Sequence, residues 1–408
     1  MNKIYLLLLI ISTGLASLFN FLAQVLIARS TQPYIYGVYS VYNTMLLMAI
    51  PLVTLGMGHY LIKVNAEKNT DSEKLTINHL FLLMVSTVVS FTFSFLFLKL
   101  YFIEIHWFYS FVLSFGVLSY AYFELVQSYF IGSQNKRLLI FWQPYLHFVR
   151  CFILVLLIYV VGYKGNIDLI AIFTMLFSFI IFFSIWVLHS TVSIYNKLDF
   201  KINKSLYIFR KSIWYGLVGF LYVVYTQLSV ILVDYKLDAV WAGYYNIGMT
   251  FVLMSLIIPN TLYYKYFLPK LHFNMKNNKE GLYLFYSKGA VFSVVFGLLV
   301  SGSLFLFSKW IILLFYGESY LLAKSLFEIV VWVIPLFYLN IHLGVFTLLG
   351  DFQKYKFYVL LLVAILSVFL NVILIEYFGA FGSAYSLFLV LLIMAAAYSY
   401  VNRKYILN

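Results

Sequence analysis

Charge is the first thing this chain lacks. Only 10% of its 408 residues are Asp, Glu, Lys or Arg, and just 14 of those are acidic. A soluble domain carries charge on roughly a quarter of its residues, so this composition excludes a water-soluble fold. Cysteine is nearly absent too. Cys151 stands alone inside an apolar run, which excludes an internal disulfide and a cysteine metal cluster. Also missing are G-x-S-x-G, G-x-x-x-x-G-K-[ST] and H-E-x-x-H, so no catalytic constellation emerges and no enzyme is expected. The basic residues form no clustered face on a folded domain, which excludes a nucleic-acid partner.

What the chain has in excess is apolar surface: 64% hydrophobic and 21% aromatic residues, with a mean hydropathy of +0.96. Its apolar runs reach about 20 residues or more, enough for a helix rising 1.5 Å per residue to cross about 30 Å of hydrocarbon. The period-2 alternation of a membrane barrel is absent. The runs predict an all-α polytopic membrane protein with twelve spans, near 4–28, 38–62, 78–102, 106–131, 138–162, 167–190, 212–234, 241–264, 288–308, 325–349, 356–376 and 381–402. The first span has only Lys3 ahead of it and lacks a small-residue cleavage site, so it reads as a retained helix.

An even number of spans puts both termini on one side. That side and its loops hold 20 of the 27 Lys and Arg, the opposite loops and span ends hold six, and Arg150 is the remaining one. The positive-inside rule therefore predicts cytoplasmic termini and cytoplasmic linkers at 191–211 and 265–287. The net charge of +13 is mainly this orientation signal, with attraction to anionic lipid headgroups besides.

The chain also repeats itself. GVYSVYNTMLLMAI (Gly37 to Ile50) aligns with GYYNIGMTFVLMSL (Gly243 to Leu256), matching Gly37/Gly243, Tyr39/Tyr245, Thr44/Thr250, Leu47/Leu253 and Met48/Met254. Gly132 and Lys136 match Gly350 and Lys354, while Gly162 and Gly165 match Gly379 and Gly382. Six spans used twice predict an N-terminal lobe (1–190), a cytoplasmic linker (191–211) and a C-terminal lobe (212–408). Because six is even, the lobes enter the membrane in the same sense, around a central cavity suited to alternating access.

Polar stripes within the spans mark candidate site residues. Thr13, Ser17, Asn20 and Gln24 share one face of span 1, and Gln143, His147 and Arg150 share one face of span 5. Span 7 offers Tyr215, Tyr222, Thr226 and Ser229; span 4 carries Glu124 and Gln127. Such faces line a wet lumen or pair with one another, because lipid would leave them without partners. Arg150 lies about 18 Å deep, where a cation costs about 2.5–3.5 kcal/mol to insert. Two readings compete for it. One is a static pair with Glu124 that holds helices in register. The other is an anion site, since a guanidinium fork suits phosphate and stays charged; Glu124 would then hold Arg150 until a phosphate replaces it. His59 and His342 read as hydrogen-bonded core histidines rather than proton carriers, and Arg29, Asp234 and Glu328 as solvated residues near interfaces.

A family resemblance rests on longer segments. QPYIYGVYSVYNTMLLMAIPLVTLGMGHYLIK resembles the span 1 to span 2 signature of the Wzx-type polysaccharide flippases of the multidrug/oligosaccharidyl-lipid/polysaccharide (MOP) exporter superfamily. VDYKLDAVWAGYYNIGMTFVLMSLIIPNTLYYKYFLPKL resembles the same signature in the second half; LLFYGESYLLAKSLFEIVVWVIPLFYLN and LNVILIEYFGAFGSAYSLFLV resemble spans 10 to 12. The likeness covers nearly the whole chain. It implies a MATE-like fold and a flippase carrying undecaprenyl-diphosphate-linked oligosaccharide, such as an O-antigen repeat unit, across the bacterial inner membrane. Arg150 would meet the diphosphate, with His147, Gln143, Asn20, Gln24 and Thr226 beside it, and Tyr215 and Tyr222 would stack on sugars. No cofactor is implied beyond coupling to protons or sodium; membrane lipids and other polysaccharide-assembly membrane proteins are the implied partners. Gln227 and Ser229 stand where many relatives carry an Arg/Asp pair, so ion coupling would fall to Glu124 or a histidine. The alternative is a MATE-like ion-coupled drug or metabolite antiporter, which would need an embedded acid for its cations. A glycan polymerase would need a large outer loop, and a peptidoglycan lipid flippase typically has fourteen spans.

Overall fold

A computed structural model of the chain describes residues 3–58, 60–62, 77–101, 107–132, 135–163, 167–191, 200–268, 271, 279–349 and 353–407. Among them there is no strand. The helices of the first half are α1 (Lys3–Ser30), α2 (Pro33–Val53), α3 (Ile77–Tyr101), α4 (Trp107–Gly132), α5 (Lys136–Val155), α6 (Ile167–Thr191) and α7 (Ile202–Lys236). The longer helices that follow are α8 (Ala239–Ser255), α9 (Lys279–Leu306), α10 (Ser308–Phe315), α11 (Ala323–Val330), α12 (Ile334–Phe346), α13 (Gln353–Phe378) and α14 (Ala380–Asn402), with the short helical stretches Ile257–Asn260 and Thr261–Phe267 after α8. Twelve segments are long and apolar enough to cross a membrane. The expected all-α, twelve-span, multi-pass architecture is therefore what the chain adopts; α11 and α12 form one span through the 3-10 turn Val331–Val333, and α10 is a short extra helix.

Three expected boundaries are corrected. Span 2 is not one continuous helix: α2 stops at Val53, and Leu55 (φ 48°) and Gly56 (φ 67°) turn the chain before further helical residues at 57–58 and 60–62. Pro51, inside α2, has no N–H to give and crowds the preceding turn, which weakens the helix just ahead of the break. A Cβ on Gly56 would lie 2.2 Å from the Gly216 nitrogen and 2.5 Å from the Ser212 carbonyl oxygen, so α7 packs directly onto this turn. Span 7 begins at Ile202 rather than 212, which makes residues 202–211 of the expected linker helical; 192–199 lie outside the described residues. Span 9 begins at Lys279 rather than 288, with Glu280 in a first turn that favours negative charge.

Two compact units emerge: Met1–Thr31 with Tyr42–Val223, and Gln32–Val41 with Val224–Asn408. The first residues of α2 thus belong with the second unit, and packing explains why. A Cβ on Gly37 would fall 1.7 Å from the Ala239 carbonyl oxygen, and one on Gly243 would meet the Gly37 Cα at 3.2 Å. The two glycines matched in the sequence repeat therefore touch. Around them Tyr36 is buried, and Asn246 Nδ2 donates to Tyr36 Oη (3.3 Å) and Ser40 Oγ (3.0 Å).

In unit 1, α5 packs lengthwise on α1, and α4 packs on α3 and α6. In unit 2, α13 packs on α14, α9 on α12 and α8 on α11. Buried amides tie these helices together: Asn340 Nδ2 donates to the Leu391 carbonyl (2.9 Å), Asn371 Nδ2 to Ser386 Oγ (3.0 Å) and Asn402 Nδ2 to the Leu343 carbonyl (2.9 Å).

Candidate functional site

The polar stripes of α1 and α5 face each other. Ser12 Oγ donates to the Ile140 carbonyl (2.7 Å), Gln143 Nε2 to Thr13 Oγ1 (2.9 Å) and Arg150 Nη1 to Asn20 Oδ1 (2.9 Å). Thr13 spends its own hydrogen on the Leu9 carbonyl at 2.8 Å, which leaves its oxygen free to accept from Gln143. Thr13 and Asn20 are seven residues apart, as are Gln143 and Arg150. Seven residues are about two helical turns, so one contact repeats after two turns of both helices, as a shallow parallel crossing requires. The two faces thus bond to each other at Thr13 and Asn20, while Thr13, Ser17, Asn20, Gln143 and His147 stay half-buried.

Arg150 is buried, with 3% of its surface exposed. Its guanidinium carbon sits 5.3 Å from the Tyr120 ring centre, on α4, and 5.9 Å from that of Phe173, on α6. Four helices, α1, α4, α5 and α6, thus converge on one cation. Each desolvated ring contact contributes up to about 2 kcal/mol, and a hydrogen bond to a charged group about 1.5–3 kcal/mol. Together these are large enough to offset the cost of about 2.5–3.5 kcal/mol for a cation at mid-membrane, so the fold accommodates the charge.

The pair expected between Glu124 and Arg150 does not form. Glu124 is exposed, and no ion pair joins the two. The reason is level: Tyr120 stands beside Arg150, and Glu124 lies one further turn along α4, about 6 Å away along the axis. His147 is half-buried one turn before Arg150 on α5, and its Nδ1 is buried without a hydrogen-bond partner. Gln24 is buried four residues beyond Asn20 on α1.

The α7 candidates separate. Tyr215, half-buried, and Tyr222, 40% exposed, lie in the part of α7 that belongs to unit 1; Thr226, buried, lies in the part that belongs to unit 2. Unit 1 therefore brings Asn20, Gln143 and Arg150 into one bonded seam with His147 on its flank, and Tyr222 is the most exposed of the α7 candidates. The reading of His342 as a core histidine matches its surroundings: Nε2 lies 2.9 Å from the Tyr286 carbonyl, and Tyr263, Phe285 and Phe346 pack around the ring. His59 lies outside the described residues. Glu328 accepts from Ser308 Oγ at 2.7 Å and pairs with Lys324 at 3.0 Å. Among the described residues no cluster of His, Cys, Asp and Glu could hold a metal ion.

Sequence reasoning missed Tyr120 and Phe173. Their signal is faint in a chain with 42 Phe and 37 Tyr, since only their level opposite Arg150 sets them apart.

No curated protein matches the chain. Among solved structures it is similar to an inward-facing multidrug resistance MATE family transporter of the MOP superfamily, with a TM-score of 0.74 at 13% identity over 96% of this chain and 94% of that one. It is also similar to the lipid II flippase MurJ in an inward closed conformation, with a TM-score of 0.71 at 15% identity over 98% of this chain and 88% of that one. A MATE solved in complex with MaL6 gives 0.68 at 14% identity over 98% and 96%. Identities this low establish the fold, which is that of MOP-superfamily transporters. The model of a family described as polysaccharide biosynthesis protein matches residues 26–325. With most of its length matched, and with the MOP fold, the chain belongs to that polysaccharide biosynthesis family.

Proposed function

We propose that this protein is a Wzx-type flippase. It moves undecaprenyl-diphosphate-linked oligosaccharide, an O-antigen or similar repeat unit, from the cytoplasmic to the periplasmic leaflet of the bacterial inner membrane, with both termini cytoplasmic. The lobes 1–190 and 212–408 are the bodies that alternate access. The observation that carries this reading is Arg150, a fixed cation held within the membrane-spanning part of unit 1 on a stripe of hydrogen-bonding side chains. A permanent cation at that depth favours an anionic cargo, and guanidinium pairs with phosphate through two parallel N–H bonds. The family supports a glycan cargo.

The geometry also changes how loading would work. Asn20, not Glu124, holds Nη1, so Asn20 and Arg150 form the exchangeable pair. The neutral amide occupies the fork when the carrier is empty, and diphosphate oxygens replace it on loading. A neutral acceptor yields to an anion more readily than a carboxylate would. His147 and Gln143 flank the phosphates, Gln24 offers a further polar contact, and Tyr222 and Tyr215 stack on sugar rings. Glu124, exposed within its span, is then available for proton or sodium coupling. Membrane lipids and other polysaccharide-assembly membrane proteins are the partners of this reading.

The fold is shared with MATE transporters, and a drug or metabolite antiporter is the second reading. A cationic Arg150 argues against cationic drugs. In a strain lacking the gene, lipid-linked oligosaccharide should accumulate on the cytoplasmic leaflet. Arg150→Ala should fail to relieve it at normal protein level, and Arg150→Lys should relieve it in part. Full surface glycan with Arg150→Ala would remove the anion site, and export of cationic drugs without glycan accumulation would favour the antiporter.

A further inference from the structure

The helix α7 is longer than a membrane needs. Its 35 residues rise about 52 Å, whereas about 20 residues cross the hydrocarbon. Residues 212–233 contain no charged side chain, and Lys211 and Asp234 bound that stretch. The uncharged stretch fills the hydrocarbon, so the preceding turns, 202–211, project into the interface on the side where α7 begins.

Those turns are fixed in place. Asn78, at the start of α3, accepts at Oδ1 from the Lys201 backbone N–H (2.9 Å) and from Ser205 Oγ (3.1 Å). A side chain distant in sequence thus caps a helix start whose backbone donors would otherwise lack partners. Ser205, Ile208 and Ser212 are buried within unit 1, at the spacing of one helical face.

The opposite face combines two chemistries. Ile202, Leu206, Arg210 and Trp214 form one exposed row at steps of four; Tyr207 and Lys211 form the next, with Lys211 Nζ 5.8 Å from the Tyr207 ring centre. Lys201 and Lys204 are exposed beside them, and exposed Phe200 packs edge-on against Phe81 at 5.2 Å. From Phe200 to Val233 there are four cations and no carboxylate. Water would suit the lysines but not Ile202, Leu206 and Trp214, and hydrocarbon would suit the reverse. The headgroup layer suits both, with apolar and aromatic side chains reaching the acyl boundary and cations snorkelling to phosphates.

We propose that residues 200–214 form a docking surface for anionic phospholipid headgroups, held rigidly against unit 1 by Asn78. Lys204, Arg210 and Lys211 bind the phosphates, and Leu206, Tyr207 and Trp214 seat among the upper acyl carbons. Because the site is built before lipid arrives, binding costs little ordering. The surface is independent of the transport cargo.

Native mass spectrometry of the full-length protein, offered equal amounts of phosphatidylglycerol and phosphatidylcholine, tests this directly. Wild type should retain phosphatidylglycerol preferentially. Each neutralised cation should weaken it by up to about fivefold, so Lys204→Gln/Arg210→Gln/Lys211→Gln should lower the preference by tenfold or more. Should the triple variant not fold, fluorescence decides. Phosphatidylglycerol brominated on its upper acyl carbons should quench a component of the emission that Trp214→Phe removes, and brominated phosphatidylcholine at equal mole fraction should quench it less. A triple variant with undiminished preference, or equal quenching by the two lipids, would overturn the proposal.

Discussion

The two units hold their helices together with different chemistry. Unit 2 joins its buried helix faces through neutral groups: Asn340, Asn371 and Asn402 each donate an amide hydrogen to a neighbouring helix, and His342 bonds the Tyr286 carbonyl, while its charged contacts, Lys236 with Glu376 and Glu328 with Ser308 and Lys324, lie at less buried positions. Its first turns of α2 are seated by glycine packing at Gly37 and Gly243. Unit 1 uses a seam in which one of the bonded side chains is a buried cation, Arg150. The contrast teaches what the charge is not needed for. A neutral amide or a close glycine crossing binds helices at a smaller desolvation cost, and unit 2 shows that this chain has both devices available. Helix packing alone therefore gives no reason to prefer a cation at Arg150, which is why the proposed function assigns it an anionic ligand.

Substitutions can break that contrast. The largest stability effect should come from Gly37→Ala, which forces a methyl group into the Ala239 carbonyl. Overpacking of this kind costs about 1–3 kcal/mol, and the unfolding temperature of the purified protein should fall accordingly. Smaller and more informative is a matched pair. Asn371→Leu should destabilise by about 1 kcal/mol through loss of its bond to Ser386. Arg150→Met should leave stability roughly unchanged, because removing the buried cation also removes its desolvation cost, which offsets the lost bond to Asn20 and the lost ring contacts. A loss of several kcal/mol from Arg150→Met would show that the cation is mainly structural, and the distinction between the units would fail.

The architecture was legible in the sequence because twelve apolar runs leave a chain few alternatives. The stripes on α1 and α5 were legible as faces, since Thr13 with Asn20 and Gln143 with Arg150 repeat at helical spacing. Their partners were not, because periodicity gives a direction around a helix and not the neighbour that fills it. Glu124 failed as a partner for a related reason. Its residue type suited Arg150, but Tyr120 occupies the matching level on α4. The break after Val53 was hidden within an unbroken apolar run, although Pro51 and Gly56 are both present in it. The start of α7 reads as linker by its lysines, yet it is helical because Asn78, more than a hundred residues earlier, caps it.

Binding of undecaprenyl diphosphate to the purified protein tests the role of Arg150 most directly. Wild type should bind, Arg150→Lys should bind more weakly, and Arg150→Met should lose tenfold or more, the loss expected when a charge-assisted hydrogen bond of about 1.5–3 kcal/mol is removed. Equal affinity for wild type and a folded Arg150→Met variant would contradict the account.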